Sequence, residues 1–216
     1  MLIRELMIPK PAVLTPEMSM PDALTLMKEK GLHRMPVVDA QGTLVGVVAA
    51  TDLHNAAPSP ATTLSYWEIP GLLARITVEM LMVKKVFTVT EETPVEEAAR
   101  IMADHNIGCL PVMRGKELVG MVNQSDMFRA FMELLGGRRH GVRVWFSTAA
   151  SKGTVARISS AIAAASGDIV GMGMLEITDA RGERGEITLK VQDVPREQLL
   201  GLLKPFMVEL LDVREN

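Results

Sequence analysis

Two aspartates stand where a carboxylate is least expected. Residues 46–53 read GVVAATDL and residues 120–127 read GMVNQSDM, so Asp52 and Asp126 each follow a glycine by six positions, after a short apolar run. Apolar runs are buried, and an isolated carboxylate resists burial. At a strand-to-helix junction such a group has two uses, which are compatible. It can cap the unpaired N–H groups of the first helical turn. It can also accept two hydrogen bonds from the hydroxyls of a ribose.

The elements that must position these aspartates are duplicated. Met7, Thr15, Ala23, Met27 and Pro36-Val37 match Met82, Thr90, Ala98, Met102 and Pro111-Val112 at an offset of 75. After a one-residue deletion, Leu44, Val45, Gly46, Val48 and Asp52 match Leu118, Val119, Gly120, Val122 and Asp126. A register kept through a whole unit marks an internal repeat. Each unit predicts an extended segment (12–15, 87–90) and then a helix. Ser19-Met-Pro-Asp22 and Thr93-Pro-Val-Glu96 read as capping boxes with proline in the first turn. Met20, Ala23, Leu24 and Met27, like Val95, Ala98, Ala99 and Met102, fall on one helix face. Two strands follow (35–38 with 43–49; 110–113 with 117–122), and then a helix beginning near Thr51-Asp52 or Ser125-Asp126. The order is β-α-β-β-α, twice. NAAPSPATTLSYWEIP, between the units, reads as a loop, and Gly71–Met82 leads into the second.

These units resemble a tandem pair of CBS domains. The resemblance rests on Met35-Pro36-Val37, Leu110-Pro111-Val112 and the two Gly-x-x-x-x-x-Asp endings, and it covers about residues 1–135. It implies a pseudo-twofold module with two clefts for adenosine nucleotides, AMP or ATP in type, with the aspartate on the ribose. Thr15, Thr90, Pro36 and Pro111 are expected at those clefts. Where the family commonly has Thr or Ser three residues before the aspartate, this chain has Ala49 and Asn123. Nucleotide is therefore expected first at the Asp126 cleft. Candidate phosphate-binding cations are His33, Arg34, Lys84, Lys85 and Arg129. Arg34 is the first choice because it precedes Met35-Pro36. Its counterpart is Cys109, which makes the clefts chemically unequal.

The glycines and basic residues of 133–143 mark a boundary. Beyond it, strands at 142–147, 169–178, 185–191 and 208–213 alternate with helices over 154–165 and after Pro195. Val155, Ile158 and Ile162 are expected to face inward on the first helix, and Leu199, Leu202 and Leu203 on the second. This β-α-β-β-α-β order is the ferredoxin-like arrangement. It resembles an ACT domain through Ser151-Lys-Gly-Thr154 and Gly167-Asp-Ile169. That implies an amino-acid site at Gly153, Thr154, Asp168 and Ile169, where N–H groups can face a carboxylate, and a homodimer. A CBS pair followed by an ACT domain resembles the acetoin-utilisation regulatory family.

The expected fold class is thus α/β (α+β). The expected domains are 1–70 and 71–135 as repeats, 136–141 as linker and 142–216 as the ACT-like domain. With 48% hydrophobic and 23% charged residues the chain can bury a substantial core. A net charge of −3 argues against broad nonspecific DNA binding. The single cysteine, Cys109, makes no internal disulfide and fits a reducing compartment. Without a secretory or membrane-length apolar segment, a cytoplasmic protein is expected. Neither GxSxG, Walker A, HExxH nor a Cys–His pair is present. No catalytic residue, metal or obligatory cofactor is expected. The leading reading is a non-catalytic ligand sensor, and the alternative is a dimerising interaction module with vestigial clefts.

Overall fold

The computed structural model describes residues 1–57, 69–149, 151–179 and 182–215. Most of the proline-rich loop, and the tip of the turn expected at 179–185, lie outside the described residues. The chain falls into two compact units, Met1–Met127 and Phe128–Asn216.

In the first unit, β1 (Ile8–Pro9) leads to α1 (Met20–Lys30), β2 (Arg34–Val38), β3 (Leu44–Ala49) and α2 (Ala50–Asn55). Two short helices, α3 (Ile69–Leu73) and α4 (Val78–Leu81), occupy the segment expected merely to connect the repeats. Then come β4 (Val89–Thr90), α5 (Val95–Asp104), β5 (Cys109–Arg114), β6 (Glu117–Asn123) and the first turn of α6 (Gln124–Leu134), whose remainder belongs to the second unit. Ser19 caps α1 as its spacing predicts. Its Oγ accepts from the Asp22 amide at 3.3 Å and donates to Asp22 Oδ2 at 2.6 Å. Gly31, left-handed at φ 64°, ends that helix. Thr93 departs from the prediction. Pro94 is the N-cap of α5, and the Thr93 hydroxyl accepts instead from the Thr90 amide at 3.0 Å. Met20, Ala23 and Met27 are buried on α1, and Val95, Ala98 and Met102 on α5. Leu24 and Ala99 are half-buried.

The repeats exchange edges. Ile8 of the first pairs antiparallel with Met121 of the second, and Val83 pairs in the same way with Val47. Within each repeat the segment before the helix runs parallel to the following strand, Leu14 beside Val37 and Val89 beside Val112. Each lead-in therefore crosses to the other repeat's sheet before it returns to its own. This exchange makes the two repeats one body and brings residues 85–87 beside Asp52 and residues 10–12 beside Asn123.

The second unit continues through β7 (Val142–Thr148), α7 (Thr154–Ala164), β8 (Asp168–Asp179), β9 (Gly182–Gln192), α8 (Arg196–Leu203) and β10 (Glu209–Glu215). All its strand pairs are antiparallel, in the order β10-β7-β9-β8. β8 and β9 are longer than their apolar stretches suggest, because pairing extends out to Asp179 and Gly182. Val142, Val144, Phe146, Ile187, Leu189 and Val191 alternate inward against Ile158, Ile162, Leu199 and Leu203. Val155 is 39% exposed, and buried Thr154 takes the place expected for it. Leu202 packs half-buried at the margin of this core.

Candidate functional site

Both strands run directly into their helices, so α2 and α6 start at Ala50 and Gln124, earlier than their aspartates suggested. Asp52 is consequently the third residue of its helix, and its carboxylate reaches back. Oδ2 accepts from the Ala49 amide at 3.1 Å, and Asp126 Oδ2 accepts from the Asn123 amide at 2.9 Å. This is the returning half of a capping box. Half-buried Asp52 uses one carboxylate oxygen in that bond. Asp126 is 5% exposed and engages a further partner.

Around Asp52 lies a cleft of about 230 Å³. Its walls include Ala49 and Thr51 from the β3–α2 junction, Lys85 and Phe87 from the exchanged lead-in, and Asn106 through Cys109. Phe87 stacks on His105, with centroids 3.9 Å apart and planes 18° from parallel. The pseudo-twofold counterpart, of about 210 Å³, is lined by Lys10, Pro11, Ala12, Lys30, Leu32, Pro36, Met121 and Asn123 among others. Each volume is below the roughly 300–1,000 Å³ of pockets that enclose a drug-sized ligand.

Arg34 lines both clefts. It is exposed at the start of β2, and among the described residues it forms no ion pair. Cys109, its counterpart in the repeat, is 8% exposed at the start of β5. Burial pushes that thiol above its ordinary value, and the nearby guanidinium pulls in the opposite direction.

The structure thus brings Asp52 and Arg34 together in one cleft, and Arg34, Pro36 and Asn123 in the other. Asp126 is not in the second cleft's lining, and it meets Asn123 through the backbone bond. Thr15, Thr90 and Pro111 are not among the residues lining either cleft. Thr90 borders a separate groove with Lys84 and Lys116, and Pro111 is buried within β5. Among the candidate cations, Lys85 lines the first cleft, whereas Lys84 pairs with Glu79 at 3.1 Å and His33 borders a cavity between α1 and α2. Arg129 lies in the second unit. Lys10, Lys30, Phe87 and Gly108 escaped the sequence reading. The repeat offset applied to Lys85 would have found Lys10.

In the second unit Gly153 caps α7 at φ 79°, a left-handed turn that favours glycine. Thr154 Oγ1 donates to the Ser151 carbonyl at 2.9 Å, and Arg157 donates to both hydroxyls. Asp168 opens β8 opposite Gln192, and Ile169 packs at the margin of the core. Among the described residues no group of three or more His, Cys, Asp or Glu could hold a metal ion, and no helix is long and apolar enough to cross a membrane.

A pseudo-twofold pair of β-α-β-β-α repeats, with an aspartate at each strand-to-helix junction, defines a tandem regulatory module. The CBS domain family model matches residues 3–59 and 78–133, just over half of the chain. The protein belongs to the CBS domain family, whose domains are typically regulatory rather than catalytic. Among solved structures it resembles CBSX2 in complex with AMP (30% identity, TM-score 0.50), over 60% of this chain and 94% of that one. It also resembles the CBS pair of protein MJ0100 with 5′-methylthioadenosine and S-adenosyl-L-methionine (25%, TM-score 0.52), over 64% and 98%. An acetoin utilization protein (AcuB) from Vibrio cholerae is similar at 28% identity and TM-score 0.52, over 64% and 95%. The chain spans 93% of one curated relative but only 28%, 14% and 24% of three others.

Proposed function

We propose that this protein is a regulatory sensor whose Asp52 cleft binds the ribose and phosphate of an adenosine nucleotide. One observation carries the reading. Asp52, Arg34 and Lys85 surround the same cleft, so an acceptor for a diol and two cations for a phosphate are present together. Helix capping occupies only Oδ2 of Asp52. The structures with AMP and with S-adenosylmethionine support an adenosine moiety as the common feature. This shifts the first expected site from Asp126, which is buried and otherwise engaged, to Asp52. Bound ligand biases the protein between arrangements only by its differential affinity for them.

For residues 142–216 we extend the proposal to an ACT-like role, supported by the β-α-β-β-α-β order and the β10-β7-β9-β8 sheet. An amino acid would bind at the Gly153 turn, and the protein would self-associate.

Differential scanning fluorimetry of the full chain with AMP, ADP, ATP, NAD, S-adenosylmethionine and the common amino acids tests both parts. A rise in Tm with an adenosine compound, lost in Asp52→Asn, is the expected result. No shift with any adenosine compound at millimolar concentration overturns the nucleotide reading. No shift with any amino acid overturns the ACT-like one.

A further inference from the structure

Arg34 breaks the pseudo-twofold. Where the first repeat has His33-Arg34, the second has Gly108-Cys109 at the same offset. A full second arginine would give each cleft its own guanidinium. Instead the Arg34 side chain extends over Gly108. A Cβ added at position 108 would lie 2.7 Å from Arg34 Cζ, 2.8 Å from one terminal nitrogen and 2.9 Å from the other. The smallest side chain therefore leaves the seat that the guanidinium occupies. From there Arg34 lines the Asp52 cleft together with Lys85, and the Asn123 cleft together with Lys10 and Lys30.

We propose that Arg34 is one cation shared by two clefts, so that an anionic ligand in either weakens binding of an anionic ligand in the other. This rests on the nucleotide reading above and adds its regulation. Planar guanidinium favours bidentate contact with one phosphate, and its fork cannot face two separate pockets at once. The first phosphate takes Arg34. The second must bind with lysine alone, near a cation already neutralised. Linkage makes the effect reciprocal: whichever cleft fills first penalises the other by the same factor. The protein then responds over a wider range of ligand concentration than two independent clefts of the same intrinsic affinity would.

Calorimetric titration of the full chain with AMP, and with adenosine as the phosphate-free probe, tests this. Asp52→Asn reports the Asn123 cleft alone, and the double variant Lys10→Gln, Lys30→Gln reports the Asp52 cleft alone. In wild type the weaker AMP event should be at least about five-fold weaker than the same cleft shows in its single-cleft variant, the low end of typical coupling. Adenosine should show no such discrepancy. Arg34 is exposed, so Arg34→Gln should fold, and it should shrink the ratio of the two AMP dissociation constants by at least about five-fold. That comparison stands even if an aspartate variant is unstable. Gly108→Ala, which displaces the guanidinium without removing its charge, should reduce the same ratio. A wild-type isotherm equal to the sum of the single-cleft isotherms, or a ratio unchanged in Arg34→Gln, overturns the shared cation and leaves nucleotide binding standing. No AMP binding by any of these proteins, wild type included, overturns the nucleotide reading itself.

Discussion

The thioether of Met82 lies against Gly46, so that a Cβ at position 46 would come within 2.5 Å of its sulfur. Met7 stands in the same relation to Gly120. The glycine that opens each apolar run is thus the place where the other repeat's lead-in crosses. Gly46→Ala should overpack this crossing and cost about 1–3 kcal/mol in denaturant unfolding. Met82→Ala in the same chain should recover part of the loss. A double-mutant coupling of at least about 0.5 kcal/mol is expected. Strict additivity would mean that the two residues do not meet.

Both halves of that contact were visible in the sequence, but not as a contact. Met7, Met82, Gly46 and Gly120 appear as matched repeat positions, because local spacing shows which residues correspond. It does not show that the repeats exchange edges, since Ile8 pairs with Met121 more than a hundred residues away. The cleft-forming roles of Lys10, Lys30 and Phe87 depend on that exchange. Arg34 was legible as a cation before Met35-Pro36, yet its reach into both clefts depends on the missing side chain at Gly108. The helix starts were misplaced by one or two residues because Ala49 and Asn123 turn from strand to helix without an intervening loop.

Asp52 caps α2, and substitution can separate that role from the nucleotide contact proposed for it. Asp52→Asn keeps a side-chain oxygen able to accept from the Ala49 amide and removes the charge, so its Tm should stay close to wild type while its AMP response falls. Asp52→Ala also loses the helix contact and should cost roughly 0.5–2 kcal/mol. Asp126 is buried, so Asp126→Ala should cost more, about 1–3 kcal/mol, by leaving the half-buried Asn123 amide without its acceptor and removing a buried, partnered side chain. Parallel denaturant unfolding and calorimetry check both. An unchanged AMP affinity in Asp52→Asn would leave that carboxylate as a helix cap only.

Cys109 provides a built-in reporter, because it is the chain's single thiol and lines the Asp52 cleft. Burial raises its pKa, so little thiolate is present at neutral pH. Alkylation by iodoacetamide, followed by intact mass, should be slow at pH 7 in the folded protein and fast in urea. Its rate should still climb with pH where an ordinary thiol has already levelled. Millimolar AMP should slow it further. Arg34→Gln removes the charge that favours the thiolate and should shift the rate profile to higher pH. Equal rates with and without AMP, under conditions where calorimetry shows the cleft filled, would place the thiol outside the ligand's footprint.

Acid stability offers an independent check on the second repeat. Arg114 grips Glu91 through two hydrogen bonds of 2.8 Å, which hold the carboxyl below its ordinary value of 4.5 against the opposing pull of burial. A depressed folded-state pKa contributes stability that is present above the unfolded value and is lost as pH falls through the folded one. The contribution should therefore be intact at pH 6 and fade below about pH 4.5. In Arg114→Gln the Tm should fall at pH 6 and converge on wild type near pH 3. The Arg114 side chain is 65% exposed, so the pair is open to screening, and the difference at pH 6 should narrow in 1 M salt. Thermal melts of both proteins from pH 3 to 7 at two salt concentrations would show this, and a constant Tm gap across the whole range would mean that Arg114 stabilises β5 through packing rather than through its charge.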